Sequence, residues 1–197
     1  MSGRRRAIAT LWTLFALLWV AMAIAPLDRG DWLLENLLVF LGVPAFWLLH
    51  RRVPLSLGSH ALVVAFLSLH VVGAHWSYAR VPIDWAALGF ERNHYDRVVH
   101  FAYGLLLAPP ILEWLERTGR GKGLWGAGLA VQAILASSAL YEIVEWLTAI
   151  VVAPDLGAAF LGTQGDEFDA VTDMALAGLG AVVAMGAWVV ARRVRSP

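Results

Sequence analysis

Six separate stretches of this 197-residue chain are apolar and long enough to cross a lipid bilayer, and that feature decides most of what the chain can fold into. A hydrocarbon core about 30 Å thick needs roughly 20 apolar residues in a helix. Only a helix or a closed barrel satisfies its own backbone there. The stretches run from Ala7 to Ala25, Asp31 to His50, Ser59 to Tyr78, Asp96 to Leu115, Leu124 to Val152 and Phe168 to Ala191. Pro44 falls inside the second and Pro109–Pro110 inside the fourth. The fifth is longer than a perpendicular crossing needs, so it must tilt, bend or project into one interface. The expected fold is all-α: a polytopic membrane protein of six transmembrane helices, with residues 1–197 forming a single integral membrane domain.

Composition agrees. Hydrophobic residues make up 59% of the chain and charged ones 15%, against roughly 45–50% and about 25% in soluble domains. These values exclude a disordered protein and argue against a water-soluble enzyme. Fifteen basic residues balance fifteen acidic ones, so there is no basic excess with which to bind nucleic acid. Cysteine is absent, which removes disulfides and thiolate metal sites. Ten tryptophans suit the membrane–water boundaries, where their amphipathic rings settle.

The basic residues set the orientation. With the N-terminus in the cytoplasm, Arg4, Arg5, Arg6, Arg51, Arg52, Arg117, Arg120, Lys122, Arg192, Arg193 and Arg195 all face inward. Only Arg29, Arg80, Arg92 and Arg97 fall outside. Both termini are therefore expected in the cytoplasm. The first stretch has a second reading. Its arginines, apolar run and small residues Ala21, Ala23 and Ala25 also fit a cleavable signal peptide, although Pro26 and the length of the run favour an uncleaved anchor. The longer connections lie outside. Ala79 to Tyr95 carries Trp85 and Phe90, which suits a segment lying along the interface. Ala153 to Glu167 carries Gly157, Gly162 and Gly165 and could dip back toward the membrane.

Acidic residues are distributed unevenly. Only Glu113 and Glu116 map to the inner face, and the others lie outside or in the outer half of a span. Glu142 and Glu145 are i, i+3 and share a helix face, about 15 and 10 Å below an outer surface at Val152. Asp169 and Asp173 are i, i+4, with Asp166 just above them, and Asp96 and His100 are again i, i+4. An ionised carboxylate at membrane depth costs several kcal/mol unless it is paired, protonated or open to water. A shared cavity toward the outer leaflet resolves that cost, because the acids can there share protons, accept from Arg97 or bind a cation. Simpler roles also exist. Asp166 can cap the sixth helix, Asp169 and Asp96 can be first-turn acids, and His100 can be a core histidine bonded to Asp96. His70 and His75 do not share a face cleanly and read as packing residues. Glu142, Glu145 and Asp173 occupy no helix end, so a functional role is their default.

Three blocks carry a resemblance. They are Asn93-His94-Tyr95-Asp96-Arg97 with His100-Phe101 and Gly104; Tyr141-Glu142-Ile143-Val144-Glu145-Trp146; and Gly162-Thr163-Gln164-Gly165-Asp166-Glu167-Phe168-Asp169 with Asp173-Met174 and Gly178. In this order they resemble the YjdF-like family of bacterial inner-membrane proteins, whose activity is unassigned. The resemblance covers most of the chain from the second stretch onward. A looser likeness links Asp96, Arg97, His100, Asp169 and Asp173 to the VanZ-like family, which is connected with glycopeptide tolerance. Glu145 stands where that family has Gln, and the helix after Asp173 lacks its Asn, so only the architecture carries over.

The expected centre is a pocket of Asp96, His100, Glu142, Glu145, Asp169 and Asp173 open to the outer leaflet. One histidine with five carboxylates suits a divalent cation such as Mg, Mn or Zn. A cation with an open position could activate water against an ester or phosphate. Without one, Glu142, Glu145 and Asp173 could perform acid/base catalysis. The partner would be the lipid bilayer, and the ligand a lipid or lipid-linked molecule. H-E-x-x-H and G-x-S-x-G motifs are absent. Two other readings stay open. One is a non-catalytic binding module for a head group or drug, with Trp76, Trp85 and Trp146 as aromatic walls. The other is a small proton- or cation-coupled transporter with bends at the prolines, against which the lack of inverted repeats counts.

Overall fold

The computed structural model describes residues 3–151 and 164–195. They form helices α1 (Gly3–Ala23), α2 (Arg29–Glu35), α3 (Leu37–Arg52), α4 (Leu57–His75), α5 (Tyr95–Arg117), α6 (Gly123–Val151) and α7 (Asp169–Arg195), with a 3₁₀ turn at Ala86–Leu88. Six spans long and apolar enough to cross a membrane result, with α2 and α3 together making the second. Large apolar side chains such as Leu14, Leu17, Leu41, Leu140, Val151 and Val182 are exposed around the bundle. Such a surface is stable only against lipid. Val152, Gly157 and Gly162 lie outside the described residues, so the dipping loop does too.

Two sequence expectations are corrected in detail. The second span is not one uninterrupted helix. Asp28 caps α2 by accepting from the Asp31 N–H at 2.9 Å. Asn36 then interrupts, its amide donating to the Trp32 carbonyl at 2.7 Å and accepting from Trp19 Nε1 at 2.7 Å. The third span ends at His75 rather than Tyr78. Ser77 and Tyr78 both adopt left-handed φ, 50° and 46°, which reverses the chain and lays the Tyr78 ring across Gly73. A Cβ at Gly73 would sit 2.6 Å from that ring, so only glycine admits it. α3 continues through Pro44, and α5 through Pro109 and Pro110, without a break in the helix.

α5 is the central element. It packs most closely on α7, and also touches α4 and α6, while α1 lies on α4. The α5–α7 contact is made backbone to backbone by small residues. A Cβ at Gly104 would lie 1.8 Å from the Ala177 carbonyl, and one at Gly180 2.1 Å from the Phe101 carbonyl. Ala108, Ala177 and Ala181 are fully buried beside them. Between lipid-solvated helices, close approach of this kind supplies the packing energy that water-driven burial cannot. At the inner end, Glu113 accepts from Ser56, Ser59 and Arg117, and Arg192 donates to Glu116 at 2.9 Å.

Replacing Gly104 by Val is expected to destabilise the fold by about 3 kcal/mol or to prevent it forming, since neither backbone can yield to the added bulk. Gly128→Ala, where a Cβ meets open space, should leave the unfolding temperature in detergent within a degree or two of wild type.

Candidate functional site

The site lies at the end of the bundle where α2, α5 and α7 begin and α4 and α6 finish. By the arginine distribution this is the outer end. Its geometry starts from the α5–α7 contact. His100 is one turn before Gly104 on α5, and Asp173 is one turn before Ala177 on α7. The tight crossing below therefore draws the two polar positions together above.

Asp96, His100 and Asp173 offer ligand atoms that all lie within 4.8 Å of one another. His100 Nε2 stands 3.5 Å from Asp96 Oδ1 and 3.7 Å from Glu142 Oε1. Those gaps exceed a good hydrogen bond. They approach the roughly 3.0–3.4 Å separating two ligands that share one small divalent ion. Asp173 is 2% exposed. Its Oδ1, like Glu142 Oε1, finds no hydrogen-bond partner among the described residues. A buried carboxylate oxygen without a donor is costly, so both atoms are suited to a cation.

Asp169 and Glu145 are placed differently. Asp169, 4% exposed, accepts from Arg92 Nη2 at 2.8 Å and has Arg97 Nη2 at 3.8 Å. It serves an arginine cluster above the triad. Asp166 completes that cluster, bonded by Arg92 at 3.1 Å and by Arg97, and it accepts from the Phe168 N–H at 3.0 Å. Asp166 therefore fastens the approach to α7 and is also an ion-pair partner. The Phe168 N–H, together with Arg97 and Arg92, holds its carboxyl below the ordinary carboxylate range. Glu145 meets the Glu142 carboxyl but faces a second chamber, toward Glu35.

That chamber is a cavity of about 240 Å³. Glu35, 4% exposed, accepts from the Tyr141 hydroxyl at 3.0 Å. His70 Nε2 is 3.0 Å from the Glu35 carbonyl, which can only accept. Nδ1 of His70 is therefore the acceptor for the Tyr78 hydroxyl. Burial pushes the Tyr78 phenol well up, keeping that proton in place. Asp31, Glu35, Tyr78 and Tyr141 had no part in the sequence-derived site. The signal for two of them was present: Asp31 and Glu35 repeat the i, i+4 spacing of the other pairs. His75 is held apart by the Met22 carbonyl, at 2.9 Å from Nδ1. The tryptophan walls are corrected. Trp146 is exposed, Trp85 packs on Phe90 and His94, and neither they nor Trp76 line the cavity. Its aromatic walls are Phe66, Tyr78, Tyr103 and Tyr141.

A bundle of six spans with a polar centre sunk below one surface defines a multi-pass membrane protein. Comparison with known proteins places it further. Residues 7–195 match the family described as predicted membrane protein (DUF2238), and the chain belongs to that family. It is 34% identical over 170 residues to the inner membrane protein YjdF of Escherichia coli K12, covering 84% of this chain and 81% of that protein. It is thus a YjdF-like protein of the inner membrane. No solved structure matches the chain.

His94 precedes α5 with its Nδ1 3.4 Å from Arg97 Nη1. Burial, then Arg97 and Arg92, push it below its ordinary 6.5. The unfolded chain therefore takes up this proton first, so the contribution is intact above about pH 6.5 and drains on acidification toward the lower folded-state value. The stability advantage of wild type over His94→Gln should shrink between pH 7.5 and 5.5. Parallel melting curves across that range would contradict it.

Proposed function

We propose that this protein is a divalent-cation-dependent hydrolase of the inner membrane, acting on an ester or phosphate bond of a lipid or lipid-linked molecule that enters from the outer leaflet. The observation that supports this best is the buried, unpartnered Oδ1 of Asp173 within reach of Asp96 and His100. Two helices, α5 and α7, contribute to one small donor set of two carboxylates and an imidazole, which suits Mg, Mn or Zn. Asp96, His100 and Asp173 would hold the ion, which when bound would polarise the scissile group and acidify a water.

The remaining residues have separable roles. Glu142, beside His100, is the general base that accepts a proton from the attacking water. Glu145, in contact with Glu142, passes that proton onward or returns it to the leaving oxygen. Asp169 positions Arg92, and through it the start of α7 that carries Asp173. The arginine pair at the mouth gives an anionic group on the substrate its first contact.

After chelation, protein in lipid nanodiscs should be stabilised by one of Mg, Mn or Zn by several degrees, as saturable binding to the folded state requires. Asp173→Asn and Asp96→Asn should abolish that shift. Release of phosphate or fatty acid from a panel of outer-leaflet lipids should fall by about 10²–10⁴ in Glu142→Gln, the usual share of a general base. Absence of any cation effect would overturn the ion site. Lipid binding without product in wild type would reassign the pocket to a binding module.

A further inference from the structure

The chamber shares Asp96 and His100 with the triad but extends from them, away from Asp173, into surroundings of different chemistry. Four carboxylates, from Asp31, Glu35, Asp96 and Glu145, line its 240 Å³, and no lysine or arginine does so among the described residues. The walls between them are aromatic, chiefly Tyr78, Tyr103 and Tyr141. Ser138 Oγ, in a residue 2% exposed, also faces this space without a hydrogen-bond partner. Buried carboxylates among ring faces, with spare hydrogen-bonding capacity and no resident cation, are the surroundings that stabilise an organic ammonium group. The acids supply its counter-charge, and the rings supply cation–π attraction that strengthens on desolvation. A phosphate placed here would face four carboxylates, while the arginines suited to it stand outside at the mouth.

A second cavity adjoins the first. It has about 280 Å³ and shares the walls Leu38, Phe66 and Tyr103. Its other lining is almost wholly aliphatic and aromatic, from Val43, Leu67 and Leu107 down to Trp114 on the inner half of α5. A polar and an apolar chamber on the two sides of a common wall of three residues match one kind of molecule: an amphiphile with a charged head and a hydrocarbon chain.

We propose that these adjoining chambers bind a chain-bearing organic ammonium, either a free long-chain amine or the amino head of a lipid. This names the substrate class of the hydrolytic site proposed above and rests on that reading for its catalytic meaning, but not for binding. Glu35 is the principal counter-ion, held in place by Tyr141. The chain lies along α3, α4 and α5, and the bond to be cut, in a lipid, falls between the chambers and the Asp96–His100–Asp173 triad.

The test uses full-length protein in phosphatidylglycerol nanodiscs with chelator present, titrated with dodecylamine, dodecanol and ethanolamine and followed by thermal unfolding. Dodecylamine should produce a saturable shift of several degrees, dodecanol none, and ethanolamine should need at least a tenfold higher concentration. Glu35→Gln should weaken dodecylamine at least tenfold, and Tyr141→Phe by a smaller factor if the first variant does not fold. Adding phosphatidylethanolamine to the nanodisc should compete with dodecylamine if a lipid head is the source and leave it unchanged if a free amine is. Asp173→Asn should keep dodecylamine binding within about twofold, and Glu35→Gln should keep the divalent-ion shift, so the two sites fail separately. Equal effects of dodecanol and dodecylamine, equal binding of ethanolamine, or an unaltered Glu35→Gln would each overturn the proposal.

Discussion

The backbone-to-backbone crossing of α5 and α7 governs everything above it. On α5 the positions Asp96, His100, Gly104 and Ala108 follow one another at one-turn spacing. On α7 the same holds for Asp169, Asp173, Ala177 and Ala181. Each helix thus carries one stripe that is small in the membrane interior and ionisable near the outer surface. Where the stripe is small, the helices touch, with Gly104 against the Ala177 carbonyl. Where it turns polar, the same proximity forces acids and a histidine into a common space. Packing energy from the lower half stabilises a concentration of charge in the upper half that would not assemble alone.

Charge is layered along the bundle axis by solvation. At the surface, Arg92 and Arg97 meet Asp166 and Asp169 with well-formed ion pairs. There Arg92, Arg97 and Asp166 keep partial contact with water, and Asp169, itself buried, has an arginine directly bonded to it. One turn lower on α7, Asp173 has no arginine bonded to it, and Glu142 is similarly without one among the described residues. An arginine at that depth would add its own desolvation cost of several kcal/mol. A cation delivered from solution meets the same need without being built into the chain, which is why orphaned carboxylate oxygens here carry more weight than acids counted in a sequence.

Hydrophobic length and the arginine bias made six spans legible because bilayer thickness acts on composition directly, with no tertiary information needed. One-turn spacing likewise exposed Asp96–His100 and Asp169–Asp173, since a helix converts spacing into facing. What stayed hidden depended on contacts between helices or on local breaks. Asp31 and Glu35 carry the same i, i+4 signal, but nothing in the string marks Asn36 as the interruption that sets their short helix α2 apart from α3. Tyr78 seemed to extend the third span, and only two consecutive left-handed residues turn it onto His70. The binding-module reading expected indole walls from Trp76, Trp85 and Trp146, whereas Trp146 is exposed on the bundle and tyrosines line the cavity.

Glu142 and Glu145 show why facing on one helix does not mean serving one site. Ser138, Tyr141 and Glu145 are spaced by three and four residues and together line the tyrosine chamber. Glu142 follows Tyr141 and is rotated by about 100° from it, a consequence of 3.6 residues per turn, which directs it to His100. The pair therefore stands between the tyrosine chamber and the Asp96–His100–Asp173 cluster, with its two carboxyls in contact. A positive charge taken up on one side would change the charge that the pair presents to the other. Were both proposed sites to take up ligand, their occupancies would be thermodynamically linked, each altering the affinity for the other by the same factor.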